Sequence, residues 1–118
     1  MRSPKVAIAL AAVFPDRTDV LDLGAATDRT RYKNPEPLAT SFPEVPPNLP
    51  NGSYRVVVAF IVEADGTVQR AVPDVASRLD SVNAACTAAV LRYYFHPALM
   101  DDKPAAVLVT QEFRFRVQ

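Results

Sequence analysis

One histidine and one cysteine, His96 and Cys86, are the residues of this 118-residue chain most suited to acid–base, nucleophilic or metal chemistry. Each such role needs a partner group. His96 stands between Phe95 and Pro97 at the exit of an expected helix, which favours a surface or capping residue. Cys86 falls on the apolar stripe of that helix with no adjacent base, and it reads as a small buried hydrophobe. A lone cysteine forms no intramolecular disulfide and argues against a cysteine-based metal site. Asp65, Asp101 and Asp102 carry the oxygens a cation needs. Asp65 is explained by a turn, however, and Asp101-Asp102 reads as a solvated loop pair. Arg114 and Arg116 interleave with Phe113 and Phe115, a composition that suits a nucleic-acid platform. Strand alternation instead sends the rings and the guanidinium groups to opposite faces. Tyr93-Tyr94-Phe95 is a candidate exposed hot spot, but Tyr93 lies on the helix stripe, which favours core packing. The sequence holds no nucleophile–base pair, phosphate loop or metal-ligand spacing, so the chain is expected to be non-catalytic, with no cofactor and no metal.

Charge and length restrict the partners. Thirteen basic and thirteen acidic residues cancel, so no global field draws in nucleic acid or an anionic membrane. No segment approaches the ~20 apolar residues of a membrane-spanning helix. Val6 to Phe14 comes nearest, with nine apolar residues behind Arg2 and Lys5. It is expected to be a β-strand or an ordered arm. Helix is the alternative for Lys5 to Val13, and Ala9-Leu10-Ala11 resembles the cleavage motif of a signal peptide.

Three zones position these residues: an N-terminal arm or strand (1–24), a Pro-rich linker or strap (25–50) and a domain (51–118). In the arm, Pro15 to Thr18 reads as a turn, and Val20 to Gly24 as a short second strand. The strap holds six of the eleven prolines and should be extended and irregular. In the domain, Tyr54 to Glu63 reads as a strand with both faces apolar, each of which should be covered at least in part. Asp65-Gly66 is a hairpin turn, Thr67 to Val72 returns antiparallel, and Pro73 ends that strand or marks it as an edge. Ser77-Arg78-Leu79-Asp80 resembles a capping box. Leu79, Val82, Cys86, Ala89, Val90 and Tyr93 then form one helical stripe, with Asn83, Thr87, Arg92 and Tyr94 off it, and Pro97 forces the end. Met100 to Pro104 reads as a loop. Val107, Val109, Phe113, Phe115 and Val117 line one face of a last strand, with Gln111 the exception. Leu108, Thr110, Glu112, Arg114 and Arg116 line the other. The expected fold is α+β: a three-stranded antiparallel sheet with one helix on one face, in the order β-β-α-β, plus an N-terminal arm able to add a strand.

Residues 42–118 resemble the C-terminal domain of TonB-type energy transducers. Phe42-Pro43 stands where the family has Tyr-Pro, and Val56 to Val68 matches its first hairpin. Leu79-Asp80 with Ala84-Ala85 matches its helix start. Tyr94-Phe95-His96-Pro97-Ala98 resembles its aromatic-Phe-x-Pro-Ala signature, Asp102-Lys103-Pro104 its Gly-Lys-Pro loop, and Phe113-Arg114-Phe115 the end of its last strand. The chain departs from the family in several places. Tyr54 and Asp102 replace family glycines, Thr40-Ser41 replaces the Gln-Pro before Tyr-Pro, and an anchor and long spacer have no counterpart unless Ala25 to Pro50 is a remnant.

The resemblance implies a periplasmic protein-binding domain that pairs its sheet edge with a segment of a TonB-dependent outer-membrane transporter, for energy transduction in nutrient import. The chemistry is β-augmentation. The implied edge is the last strand, Thr110, Gln111, Glu112, Phe113, Arg114, Phe115 and Arg116, with Phe42 and Pro43 as neighbouring contacts. The alternative is an envelope scaffold with the same fold but no transducer role, dimerising through that strand.

Overall fold

The computed structural model describes residues 5, 6, 14, 16, 17, 20, 21 and 31–118. The chain is mixed α+β, mostly antiparallel strands, with one helix among the described residues. In chain order the strands are β1 (Lys5–Val6), β2 (Tyr32–Lys33), β3 (Glu36–Ala39), β4 (Gly52–Val62) and β5 (Val68–Val75). The helix α1 (Asp80–Leu91) follows, and then β6 (Tyr94–His96), β7 (Ala98–Met100), β8 (Lys103–Ala105) and β9 (Val107–Val117).

The main sheet runs β1-β9-β4-β5, and β9 pairs with β4 over its full length, from Gly52 opposite Val117 to Val62 opposite Val107. The strand order therefore differs from a bare β-β-α-β chain: three short strands intervene between the helix and β9. β7 and β8 form a small sheet with β2, and β6 pairs with β3. The strap thus contributes two short strands, and the rest of 31–50 is irregular. The part of the expected arm at 7–13, the tail of its second strand at 22–24 and the start of the strap at 25–30 lie outside the described residues.

The β4–β5 connection is built around Gly66. Its φ is +88°, a conformation that glycine adopts without steric cost. The Gly66 N–H donates to Glu63 O at 2.9 Å, and Glu63 N–H donates to Thr67 O at 2.9 Å, closing a three-residue hairpin loop. Asp65 Oδ1 accepts from the Thr67 hydroxyl at 2.6 Å and from the Thr67 N–H at 3.0 Å, which holds its carboxyl below the usual range. β5 continues through Pro73 to Val75, the second of the two readings of that proline. It is an edge strand, where a missing N–H donor is tolerated.

The helix buries Val82, Asn83, Cys86, Ala89 and Val90. Val82, Cys86, Ala89 and Val90 meet Val56, Val58, Phe60 and Val62 of β4 and Val109 and Phe113 of β9 in one core. Asn83 lies inside, not off the stripe, because its side chain clasps the chain ahead of the helix. Its Oδ1 accepts from Ser77 N–H at 2.7 Å and Ser77 Oγ at 2.8 Å, and its Nδ2 donates to Ser77 O at 3.2 Å. This clasp replaces the expected capping box, since the first helical position follows Leu79, which provides no side-chain cap. The helix ends at Leu91, well before Pro97. Tyr93, just before β6, and Phe95 within it turn inward, with ring centroids 6.1 and 6.0 Å from Phe60, while Tyr94 points out. A second, smaller core covers part of the opposite face of the sheet: Phe14 and Val20 pack with Ala59, Ile61, Ala106 and Leu108.

Candidate functional site

The two sides of β9 have different fates. The side toward β4 is closed along its whole length. On the other side, Lys5 pairs with Thr110, Val6 with Val109, and Leu21 with Val107, while Leu21 N–H donates to Ala106 O at 2.8 Å. From Phe113 to Val117, no strand among the described residues lies on that side. The expected edge beginning at Thr110 is therefore shortened. The physical reason is visible in the residues that hold the arm down. Phe14 and Val20 are buried on the sheet, and Arg17 makes a bidentate pair with Glu63 at 2.9 and 3.0 Å. Arg70 bonds Asp16 at 2.6 Å and lies 5.5 Å over the Phe14 ring, and its hydrogen bond holds the Asp16 carboxyl below the usual range.

Strand pleating divides the open stretch into two faces. On the helix side, Phe113 and Phe115 meet the strap. Phe42, Pro43 and Val45 line an open apolar cleft of 280 Å³ with Phe113, Arg114 and Phe115. Phe42 is 77% exposed and Val45 51% exposed, so the strap wall is apolar and uncovered on its outer side. Arg92, just past the helix, holds this wall: its Nε donates to Ser41 Oγ at 3.0 Å, and a second nitrogen reaches Phe42 O at 3.5 Å. The floor is firm. Tyr54 stacks on Phe115 at 5.7 Å, its hydroxyl donates to Pro50 O, and Arg78 covers its ring at 4.5 Å.

On the opposite face, Arg55 lies across from Arg114, and Ser53 across from Arg116. Like charges directly opposite repel. Glu112 relieves this by accepting from Arg55 Nε at 2.8 Å and from Arg114 Nε at 2.9 Å. Arg116 makes no ion pair among the described residues. Ser53, Arg55, Arg114 and Arg116, with Tyr54 and Phe115, border an open cleft of 470 Å³. Three cations against one carboxylate leave this patch positive in a chain with no net charge.

Of the residues expected to bind a partner, Phe42, Pro43, Phe113, Arg114, Phe115 and Arg116 come together at this flank. Thr110 is paired to the arm. Gln111 is buried on the helix side and donates to Glu112 O at 2.9 Å, and Glu112 serves the two arginines. Arg55 and Val45 join the site without having been singled out. No sequence signal marks them, because cross-strand register is not legible in a single strand.

The other chemistry-bearing residues lie apart. Cys86 is fully buried, and burial pushes its thiol up to about 11. His96 is exposed on β6, its Nδ1 3.3 Å from Pro97 O. Asp101 and Asp102 form the two-residue turn between β7 and β8, with φ of +53° and +64°. They pair with Arg31 and Lys33 at 3.3 and 3.7 Å. Among the described residues, no cluster of three or more His, Cys, Asp or Glu is placed to hold a metal ion, and no helix is long and apolar enough to cross a membrane.

Comparison with protein-family models finds none that matches this chain, and comparison with curated proteins finds no match.

Proposed function

We propose that this chain is a non-catalytic protein-binding module of the bacterial envelope, acting in the periplasm and resembling the C-terminal domain of TonB-type transducers. In this reading β4, β5, α1 and β9 are the β-β-α-β unit of that domain, with the β6–β8 strands inserted before its last strand. The partner is an extended segment, such as that of a TonB-dependent outer-membrane transporter, added as a strand to β9. Unpaired N–H and C=O groups on a sheet edge bind such a segment through main-chain hydrogen bonds. The observation that carries the reading is the flank at 113–117, which has no strand partner among the described residues and stands beside an uncovered apolar wall.

The test is an NMR titration of the chain with peptides from transporter plugs. Shifts confined to 113–117 and to Phe42, Pro43 and Val45 are expected. Silence there at millimolar peptide contradicts the proposal. The scaffold reading, with the flank pairing to a second copy, is separated by sedimentation: it requires a dimer in which the 113–117 amides are protected.

A further inference from the structure

We propose that the occupant of this flank is an extended peptide carrying two carboxylates two residues apart, with an apolar residue between and on either side of them. The inference rests on the reading of 113–117 as a binding edge and assigns the chemistry of what binds there.

The pattern follows from register. A strand laid on 113–117 places one residue opposite each of Phe113, Arg114, Phe115, Arg116 and Val117, with side chains directly opposite about 5 Å apart. Positions opposite Phe113, Phe115 and Val117 face the helix side. There the cleft of 280 Å³ bounded by Phe42, Pro43 and Val45 is apolar. Positions opposite Arg114 and Arg116 face the other side, where Arg55 adds a third guanidinium across the sheet from Arg114. Glu112 is already shared between Arg55 and Arg114, and Arg116 has no carboxylate among the described residues. The surface therefore has spare positive charge at the two positions that alternate with the apolar ones. Lys5–Val6 occupies the neighbouring stretch of the same flank at Val109 and Thr110 and limits how far the visitor extends.

The same register disfavours a second copy of the chain. A two-fold pairing confined to 113–117 is centred on Phe115 and sets Arg114 opposite Arg116 of the other molecule, twice over. Like charges directly opposite are destabilising, whereas opposite charges at those positions are favourable. Charge complementarity thus selects an acidic strand over self-association.

The experiment measures binding of two labelled peptides, Val-Glu-Val-Glu-Val and Val-Lys-Val-Lys-Val with neutral capped ends, to the full chain by fluorescence anisotropy at low salt, with the binding site located by NMR. The glutamate peptide should bind about tenfold more tightly, and the difference should shrink toward parity at about 0.5 M salt. The preference should invert in a chain carrying Arg114→Glu and Arg116→Glu. Arg116→Glu alone, which breaks no ion pair of the described residues, should narrow it severalfold and guards against misfolding of the double variant. Equal binding of both peptides at 113–117 overturns the charge assignment but leaves the edge reading standing. Binding of the glutamate peptide elsewhere, or by neither peptide at millimolar concentration, overturns the assignment, and the second result also removes the edge reading.

Discussion

Single residues in this fold answer to backbone geometry more than to charge. A Cβ at Gly66 would lie 2.0 Å from Phe95 O, and the residue already has φ of +88°. Gly66→Ala should therefore cost about 2–4 kcal/mol in chemical denaturation, through strain and a backbone shift. The turn at Asp101-Asp102 shows the milder version. Both residues have positive φ, the conformation of a two-residue hairpin loop, where glycine is favoured at the second position. Asp102→Gly should raise stability by a few tenths of a kcal/mol, and Asp102→Val should lower it by about 1–2 kcal/mol. The exposed Lys33–Asp102 pair, at 3.7 Å, contributes too little to reverse that order. In sequence this segment reads only as a loop, because an Asp-Asp turn lacks the glycine that normally advertises a hairpin.

Two buried acids give the molecule an alkaline limit. Burial pushes Cys86 up to about 11 from 9.0, and Tyr93 up to about 12 from 10.0. Both groups hold their protons more tightly in the folded chain. Their contribution is complete below the unfolded values and is lost as pH rises through the folded ones. Stability should be flat in these two groups up to about pH 9, then fall by at most ~1.4 kcal/mol per pH unit for each group that titrates. Cys86→Ala should delay the onset by about one pH unit, a shift readable in urea midpoints taken from pH 8 to 11.

Elements were legible in proportion to how local their signals are. The β4–β5 hairpin, the helix stripe and the alternation of β9 all follow from periodicity over one stretch of chain. The end of the helix did not. Tyr93 reads as the last residue of the helical stripe, but burial of Tyr93 and Phe95 on Phe60 and pairing of Tyr94 to His96 with the strap end the helix earlier and begin a strand. The N-terminal arm depends on tertiary contacts altogether. Its hold on the sheet is Phe14 in the second core plus the Arg17–Glu63 clamp, at 18% and 16% side-chain exposure. Phe14→Ala should cost about 3 kcal/mol, and Arg17→Ala about 1–2 kcal/mol. In both variants whichever amide of Val109 and Thr110 faces the arm should exchange faster, while the other, bonded to β4, keeps its rate; hydrogen exchange thereby resolves release of the arm from a uniform loss of stability.

At the scale of the whole molecule, one strand faces two different surroundings. Alternation in the sequence shows that β9 has an apolar and a charged face, and that Phe113 and Arg114 part company there. It does not show that Arg55 lies opposite Arg114, that Phe42 and Val45 wall the apolar side, or that Lys5–Val6 closes the flank short of Glu112. Those facts come from register and from contacts between distant parts of the chain. They pair Thr110 of the expected edge with the arm and leave 113–117 with no second strand among the described residues. Backbone hydrogen exchange across β9, with and without an added extended peptide, tests the central claim most directly. In the free chain, 113–117 should alternate between slow amides bonded to β4 and fast amides facing outward, and the fast set should slow when the peptide binds. Uniformly slow exchange from 107 to 117 in the free chain, or outward amides left fast under saturating peptide, would contradict it.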